Sequence, residues 1–310
     1  MVEIPIGSNR LPRGSRLGSR KTLIHFATGG LGHFLTRLGQ SIDFSQDAGW
    51  DLGVVTEYHQ PLGKLSFQEV FLSSPQIRRW SELEVNSRRF NIGTLKRDVE
   101  YRRGNGAIAT IRDVVDHRVF PAQLPPKMVG HNLAFTTGDR ELGLSKFRRN
   151  AGWLTAISSL SLVADFSGAV VERATRLQAP YIGVHFRNSD RLGDFDGTIQ
   201  RLRQRIGETQ INDVWWCTDD HSSIVAAVNA IPSARFYSSQ TFARGNRMNL
   251  HNGLRGEDSI NHLKNTFADL FTLCAADEYI PASRSGWNSL VPLMREAKDS
   301  SARFFGLTTP

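Results

Sequence analysis

Apolar residues along the chain fall into short blocks that alternate between two periods. Thr22–Ala27 (TLIHFA) is a run of strand length, and it leads into a Gly-rich turn, Thr28-Gly29-Gly30-Leu31-Gly32-His33. Phe34, Leu38, Ile42 and Ala48 then recur at helical spacing, and a second strand-length run, Leu52–Tyr58, follows at once. Strand, turn, helix and strand in such close succession predict a βαβ unit with parallel pairing. The region 61–130, broken by Pro61, Pro75, Pro121, Pro125 and Pro126, supports no firm assignment, and a helix is expected over about 152–176. From Pro180 onward the pattern is regular. Strands are expected at Tyr181–Phe186, Val214–Cys217, Arg235–Tyr237, Glu278–Ala282 and Arg303–Gly306, with helices over about 197–206, 222–230, 259–276 and 285–297. This alternation predicts an α/β protein built on doubly wound parallel sheets. At 310 residues two domains are expected, although one larger α/β domain is also compatible with the length.

Composition narrows the class. With 40% hydrophobic residues and only two cysteines, neither a disordered chain nor a disulfide scaffold fits. Cys217 (VWWCTDD) and Cys274 (FTLCAAD) lie in apolar contexts, read as reduced core residues, and build no metal motif. There is no run of about 18 apolar residues and no apolar signal core near residue 1, so a cytoplasmic location is expected. The net charge of +8 is the unusual quantity. Residues 1–20 carry Arg10, Arg13, Arg16 and Arg20 and read as a basic flexible tail. Between Gln76 and Arg103, Arg78, Arg79, Arg88, Arg89, Lys96, Arg97, Arg102 and Arg103 outnumber Glu82, Glu84, Asp98 and Glu100. Such a charge suits nucleic acid, an anionic membrane surface or a small anionic substrate such as a nucleotide. Only Trp80, Phe90 and Tyr101 interleave the basic segment, short of a stacking platform, so no nucleic-acid partner is expected and a basic nucleic-acid-binding protein stays the rival from another class.

In open parallel sheets, ligands bind beyond the carboxyl ends of the strands near the switch point. Four such ends carry polar residues: Gly29–His33; His185-Phe186-Arg187-Asn188-Ser189-Asp190-Arg191; Thr218-Asp219-Asp220-His221; and Ser283-Arg284-Ser285 at a helix start, where free N–H groups favour an anion. Each has a plainer explanation. His185 and Arg187 suit a structural ion pair with Asp190, Thr218-Asp219 suits a helix cap, and Ser283 and Ser285 suit caps. The glycine turn fits neither the dinucleotide nor the phosphate-loop pattern. Their joint placement at the ends of strands expected in one sheet favours a site.

The ordered residues Val184-His185-Phe186-Arg187-Asn188-Ser189-Asp190-Arg191, Cys217-Thr218-Asp219-Asp220, Leu250-His251-Asn252, Phe267-Ala268-Asp269-Leu270 with Ala275-Ala276-Asp277, and Ser283-Arg284-Ser285 resemble the α1,6-fucosyltransferase family. This family includes rhizobial nodulation and animal core fucosyltransferases. Its pattern runs H-x-R-R-T-D-K, A-T-D-D, L-H-N, a helix with an inward Asp, and an S-S-Q turn. The match covers about residues 180–297, and Gly29-Gly30-Leu31-Gly32 is similar, less specifically, to the superfamily's first glycine turn.

The resemblance implies a GT-B glycosyltransferase with two Rossmann-like domains: an acceptor-side domain over 21–165 and a GDP-sugar-binding domain over 166–310. It implies inverting transfer of fucose from GDP-fucose to a glycan hydroxyl, with no cofactor and no metal. Arg187 matches the family's essential arginine and is expected both to contact the β-phosphate and to act in catalysis, its planar fork giving two N–H bonds to phosphate oxygens. His185, Asp190, Arg191, Ser283, Ser285, Gly30 and Gly32 are expected around the donor. Asp219, Asp220 and Asp269 match family carboxylates important for donor binding, which accept from N–H or hydroxyl groups. The chain departs from the pattern at Asn188 for the second arginine, Arg191 for the lysine, Ser285 for the glutamine and Phe195 for the proposed catalytic glutamate. Asp194 and Asp196 are therefore the expected base candidates. An anionic or lipid-linked acceptor and peripheral membrane contact are open, as is a non-catalytic nucleotide-sugar binder, which the departures suggest.

Overall fold

The computed structural model describes residues 22–26, 30–48, 51–56, 62, 65–75, 77–79, 133–136, 149–187, 193–239, 257–281 and 285–307. The first half runs β1 (Thr22–Phe26), α1 (Leu31–Ala48), β2 (Asp51–Val55), α2 (Phe67–Val70), β3 (Phe71–Ser73), β4 (Ile77–Arg79), β5 (Leu133–Thr136), α3 (Arg149–Ser159), β6 (Leu160–Leu162) and α4 (Ala164–Arg176). The second half runs β7 (Ile182–Phe186), α5 (Phe195–Thr209), β8 (Asp213–Thr218), α6 (His221–Ala230), β9 (Arg235–Tyr237), α7 (Glu257–Ala275), β10 (Glu278–Ile280), α8 (Trp287–Glu296) and α9 (Lys298–Phe304).

Each half holds a four-stranded parallel sheet among the described residues, in the orders β4-β2-β1-β5 and β10-β7-β8-β9. In both, the strands progress outward from a first central strand and then return to its other side. The strand order therefore reverses between β1 and β5 and again between β7 and β10, creating two switch points. All five residues of β7 are buried, as befits a parallel strand covered on both faces. Along α1, Leu31, Phe34, Leu35, Leu38 and Ile42 are buried at the helical spacing read from the sequence. One apolar core joins α1, α3 and α4 to Phe267 of α7 and to Phe304 and Phe305 at the carboxyl end. The helices α8 and α9 return to pack against α3.

Two expected elements differ. The helix expected over 152–176 is two helices with β6 between them, pairing antiparallel with β3. Leu160 and Leu162 are buried on either side of Ser161, and Val163 N–H donates to Val70 C=O at 3.0 Å. The polar–apolar alternation Ser159-Leu160-Ser161-Leu162 was the strand signal. Arg303–Gly306, expected as a last strand, instead closes α9, with Phe304 and Phe305 buried. A short apolar run does not distinguish a buried helix turn from a strand. The basic tail 1–20, and the basic segment apart from 77–79, lie outside the described residues.

Helices α1 and α3 cross at glycines. A methyl at Gly39 would run into the Gly152 carbonyl oxygen, and one at Gly152 would stand 2.7 Å from the Thr36 carbonyl oxygen. Gly39→Ala must push the helices apart, an overpacking cost of about 3 kcal/mol. The expected outcome is a Tm lower by roughly 5 to 10 °C in a thermal melt. An unchanged Tm would contradict this crossing.

Candidate functional site

The strand ends converge at the second switch point. Because β7 lies between β8 and β10, the carboxyl ends of these three parallel strands stand side by side. The β7–β8 register ends at Phe186 opposite Thr218, so Arg187 and Asp219 are the next residues beyond the ladder. Their side chains form an ion pair, Arg187 Nε to Asp219 Oδ2 at 3.9 Å, and are 29% and 20% exposed. Gly193 returns the chain against this point: a Cβ there would lie 2.7 Å from the Arg187 carbonyl oxygen.

His185 lies two residues before Arg187 and is buried. Its imidazole stacks on the indole of Trp287, the first residue of α8, with ring centroids 4.9 Å apart and planes at 24°. Burial, reinforced by the positive charge of Arg187, holds its pKa down at about 3. The ring is therefore neutral near pH 7, with one N–H and one acceptor nitrogen. Its Nδ1 meets no hydrogen-bond partner among the described residues. Gly32 follows β1, which lies in the other sheet and not in one sheet with β7 as expected from the sequence, and it faces Trp287: a Cβ there would lie 3.3 Å from Trp287 Cδ1 and 3.4 Å from Trp153 Cη2. Gly30 C=O accepts from Phe34 N–H at 3.0 Å and opens α1 just beyond β1, at the first switch point. The two glycines expected at the site thus begin the helix that meets the His185 cluster.

Two expected site residues, Asp220 and Asp194, are engaged as helix caps, and a third, Ser285, bonds the first N–H of a helix. Asp220, buried, accepts from Ser222 N–H at 3.0 Å and begins α6, while Thr218 Oγ1 accepts from Asp220 N–H at 3.0 Å. Asp194 accepts from Gly197 N–H at 3.0 Å and begins α5. Ser285 Oγ accepts from Trp287 N–H at 3.2 Å at the start of α8. These contacts satisfy helix N–H groups that otherwise lack partners. Of the two neighbouring aspartates, Asp219 faces Arg187 and Asp220 holds a helix. Asp196 is exposed in the first turn of α5.

Asp269 is placed on α7 beneath the sheet end and is engaged by protein groups. It accepts from Arg173 Nη1 at 2.8 Å and from Ser239 Oγ at 2.7 Å, with the two ionic side chains only 8% and 14% exposed. Burial pushes its carboxyl group up, and the Arg173 guanidinium and Ser239 hydroxyl pull it back. Arg173 also lies over the Trp215 ring, 4.9 Å from its centroid. Sequence reasoning missed Arg173, Ser239, Trp153 and Trp287. A Ser pair after β9 and a Trp at the first helical position after Ser285 were the available signals. Asp190, Arg191, Ser283 and the Leu250-His251-Asn252 motif lie outside the described residues. Both cysteines are free, and burial pushes their thiols up, Cys274 to about 12, as inert core residues require.

The cluster therefore combines a partly exposed guanidinium, a neutral imidazole and a carboxylate at one switch point, opposite the glycine start of α1. A planar, permanently charged fork in such a place suits a phosphate-bearing ligand.

No protein-family model and no curated protein sequence matches the chain. Solved structures do. Fucosyltransferase NodZ from Bradyrhizobium superposes with a TM-score of 0.56 at 13% identity, covering 88% of this chain and 93% of that one. A NodZ α-1,6-fucosyltransferase crystal soaked with GDP-fucose gives 0.56 at 13% identity, covering 88% and 92%. POFUT1 in complex with GDP gives 0.53 at 11% identity, covering 89% and 95%. The chain has the GT-B fold of these fucosyltransferases, and the family resemblance read from strand-end residues is met at the level of the fold.

Proposed function

We propose that the chain is a glycosyltransferase that transfers fucose from GDP-fucose to a glycan hydroxyl. The observation that carries this reading is the Arg187–Asp219 pair one step beyond the β7–β8 ladder, beside the switch point of a GT-B fold. The similar structures support it through their ligands: NodZ soaked with GDP-fucose, and POFUT1 in complex with GDP-fucose. In this reading the second half holds the donor and the first half presents the acceptor. Asp190, Arg191 and Ser283 join the donor site on the sequence resemblance alone.

As the fucosyl bond breaks, negative charge grows on the diphosphate while the sugar becomes oxocarbenium-like. Arg187 supplies a preorganised cation where that charge develops, the role a metal would otherwise fill, so the proposed reaction is metal-independent as well as inverting. His185, neutral and buried, offers a hydrogen bond without adding charge. For the acceptor hydroxyl a base is needed within reach. Asp194 is held by Gly197 N–H, which leaves the exposed Asp196 as the proposed base. Asp196→Asn is expected to lower kcat by about a hundred- to ten-thousandfold with GDP affinity unchanged, whereas Asp194→Asn keeps its cap and most activity. The reverse pattern would move the base to Asp194, and full activity in both variants would remove it from this loop.

The reading is tested by incubating the chain with GDP-fucose and a panel of neutral, anionic and lipid-linked oligosaccharides, with and without EDTA. Expected are GDP release and an acceptor heavier by one deoxyhexose, both insensitive to EDTA. GDP binding without transfer or donor hydrolysis would favour the non-catalytic binder that Asn188 and Phe195 suggest. A cytoplasmic location and peripheral membrane contact belong to the same proposal and rest on composition and the +8 charge.

A further inference from the structure

We infer that Trp287 is the positioning residue for His185 in this site, and that Gly32 determines where Trp287 stands. The inference builds on the proposed donor site. The backbone of His185 is fixed by its place in β7, opposite Cys217 of β8, so the remaining freedom of the imidazole lies in its side-chain torsions. Trp287 removes that freedom by stacking on the ring at 4.9 Å. Trp287 is itself fixed at its backbone and faced along one ring edge. Its backbone N–H donates to Ser285 Oγ at 3.2 Å. Its Cδ1 and Nε1 edge faces Gly32, where an added Cβ would stand 3.3 and 3.6 Å away. Trp153 Cη2 closes the other side of Gly32 at 3.4 Å from the same position. A methyl at residue 32 would press on Trp287 Cδ1, which must give by a few tenths of an ångström, and through the stacked ring that shift is passed to His185. The glycine turn of the first half and the strand end of the second are joined by one ring.

Stacking also governs the charge state of the imidazole. With the indole over it, His185 is buried and its pKa is held at about 3, burial being the larger cause and Arg187 the second. Among the described residues, the charged group that acts on it is Arg187. Arg187 lies on its own strand segment, and Asp219 from the end of β8 is paired to that arginine. Trp287 opens α8, Ser285 precedes it and Gly32 lies on α1, and none of the three carries charge. Uncovering the ring should return it toward the ordinary histidine range, so that it gains a proton in mildly acidic solution.

The full-length Trp287→Leu, Trp287→Phe and Gly32→Ala variants test this. The His185 imidazole signal is followed by NMR against pH and assigned by its loss in His185→Gln. In the wild type it should not titrate above about pH 5. In Trp287→Leu its midpoint should move to about 5.5 to 7, and KM for GDP-fucose should rise about tenfold with a smaller change in kcat. Trp287→Phe, which keeps a flat ring, should retain the wild-type titration and restore KM to within about threefold. Gly32→Ala should shift the titration in the same direction as Trp287→Leu, and it serves as the test if Trp287→Leu does not fold. An unchanged His185 titration in folded Trp287→Leu, or equal damage in Trp287→Phe and Trp287→Leu, would overturn the inference. The titration needs no donor, so failure of the wild type to bind GDP-fucose would overturn the functional proposal and leave the positioning result standing or falling on its own.

Discussion

Arg187→Ala is expected to abolish measurable transfer, with kcat reduced about a hundred- to a thousandfold, equivalent to about 2.7 to 4 kcal/mol, and with weaker GDP binding. The reasoning begins from position. Arg187 follows the end of β7, which is paired to β8 up to Phe186, and its guanidinium stays partly exposed beside Asp219. Nothing in its environment makes it a core residue, so the Tm of the variant should stay near that of wild type. Arg187→Lys should also be damaged, because an ammonium is a point charge and does not reproduce the two parallel N–H bonds of the fork. Initial-rate kinetics and calorimetric titration with GDP separate the effects. Wild-type activity in Arg187→Ala would remove Arg187 from the mechanism.

The second large effect concerns stability. Asp269→Asn leaves the Arg173 guanidinium buried without its anion, and the amide oxygen that remains accepts from Arg173 and Ser239 without a charge. Breaking one side of a buried pair costs about 3 to 5 kcal/mol, measurable by urea unfolding. The double variant Arg173→Met/Asp269→Leu should recover much of that loss, since apolar residues of similar volume often match a buried pair. The sequence resemblance assigns Asp269 to donor binding, whereas the geometry gives its carboxylate to Arg173 and Ser239. A variant that unfolds like wild type yet loses GDP affinity would favour direct donor contact and contradict the anchoring role.

These two residues illustrate what the sequence revealed. The alternation of periods placed β1, α1, β2 and the whole run from β7 to α8 within a few residues, because each element buries a stripe of its own period. It failed at β6, whose partner β3 lies some ninety positions earlier, and at α9, whose paired phenylalanines suit either a strand or a helix turn. Within the site, Arg187 and His185 were legible from their place at the end of a strand. The neighbours Asp219 and Asp220 were not separable, since which of them caps α6 is decided by backbone geometry. Trp287 was harder to read for another reason: its place at a helix start is visible in the sequence, but its role depends on the meeting of α8, β7 and α1.

The central claim is that the second switch point binds a guanosine diphosphate sugar. It is tested most directly by thermal unfolding with GDP, GDP-fucose, GDP-mannose and UDP-sugars, on the wild type and on Arg187→Ala. At about a hundred times its Kd a ligand stabilises by about 2.7 kcal/mol, a rise of roughly 5 to 10 °C. The expected result is such a rise with GDP and GDP-fucose, little with UDP-sugars, and its loss in Arg187→Ala. Absence of any shift with every guanine nucleotide would contradict the claim.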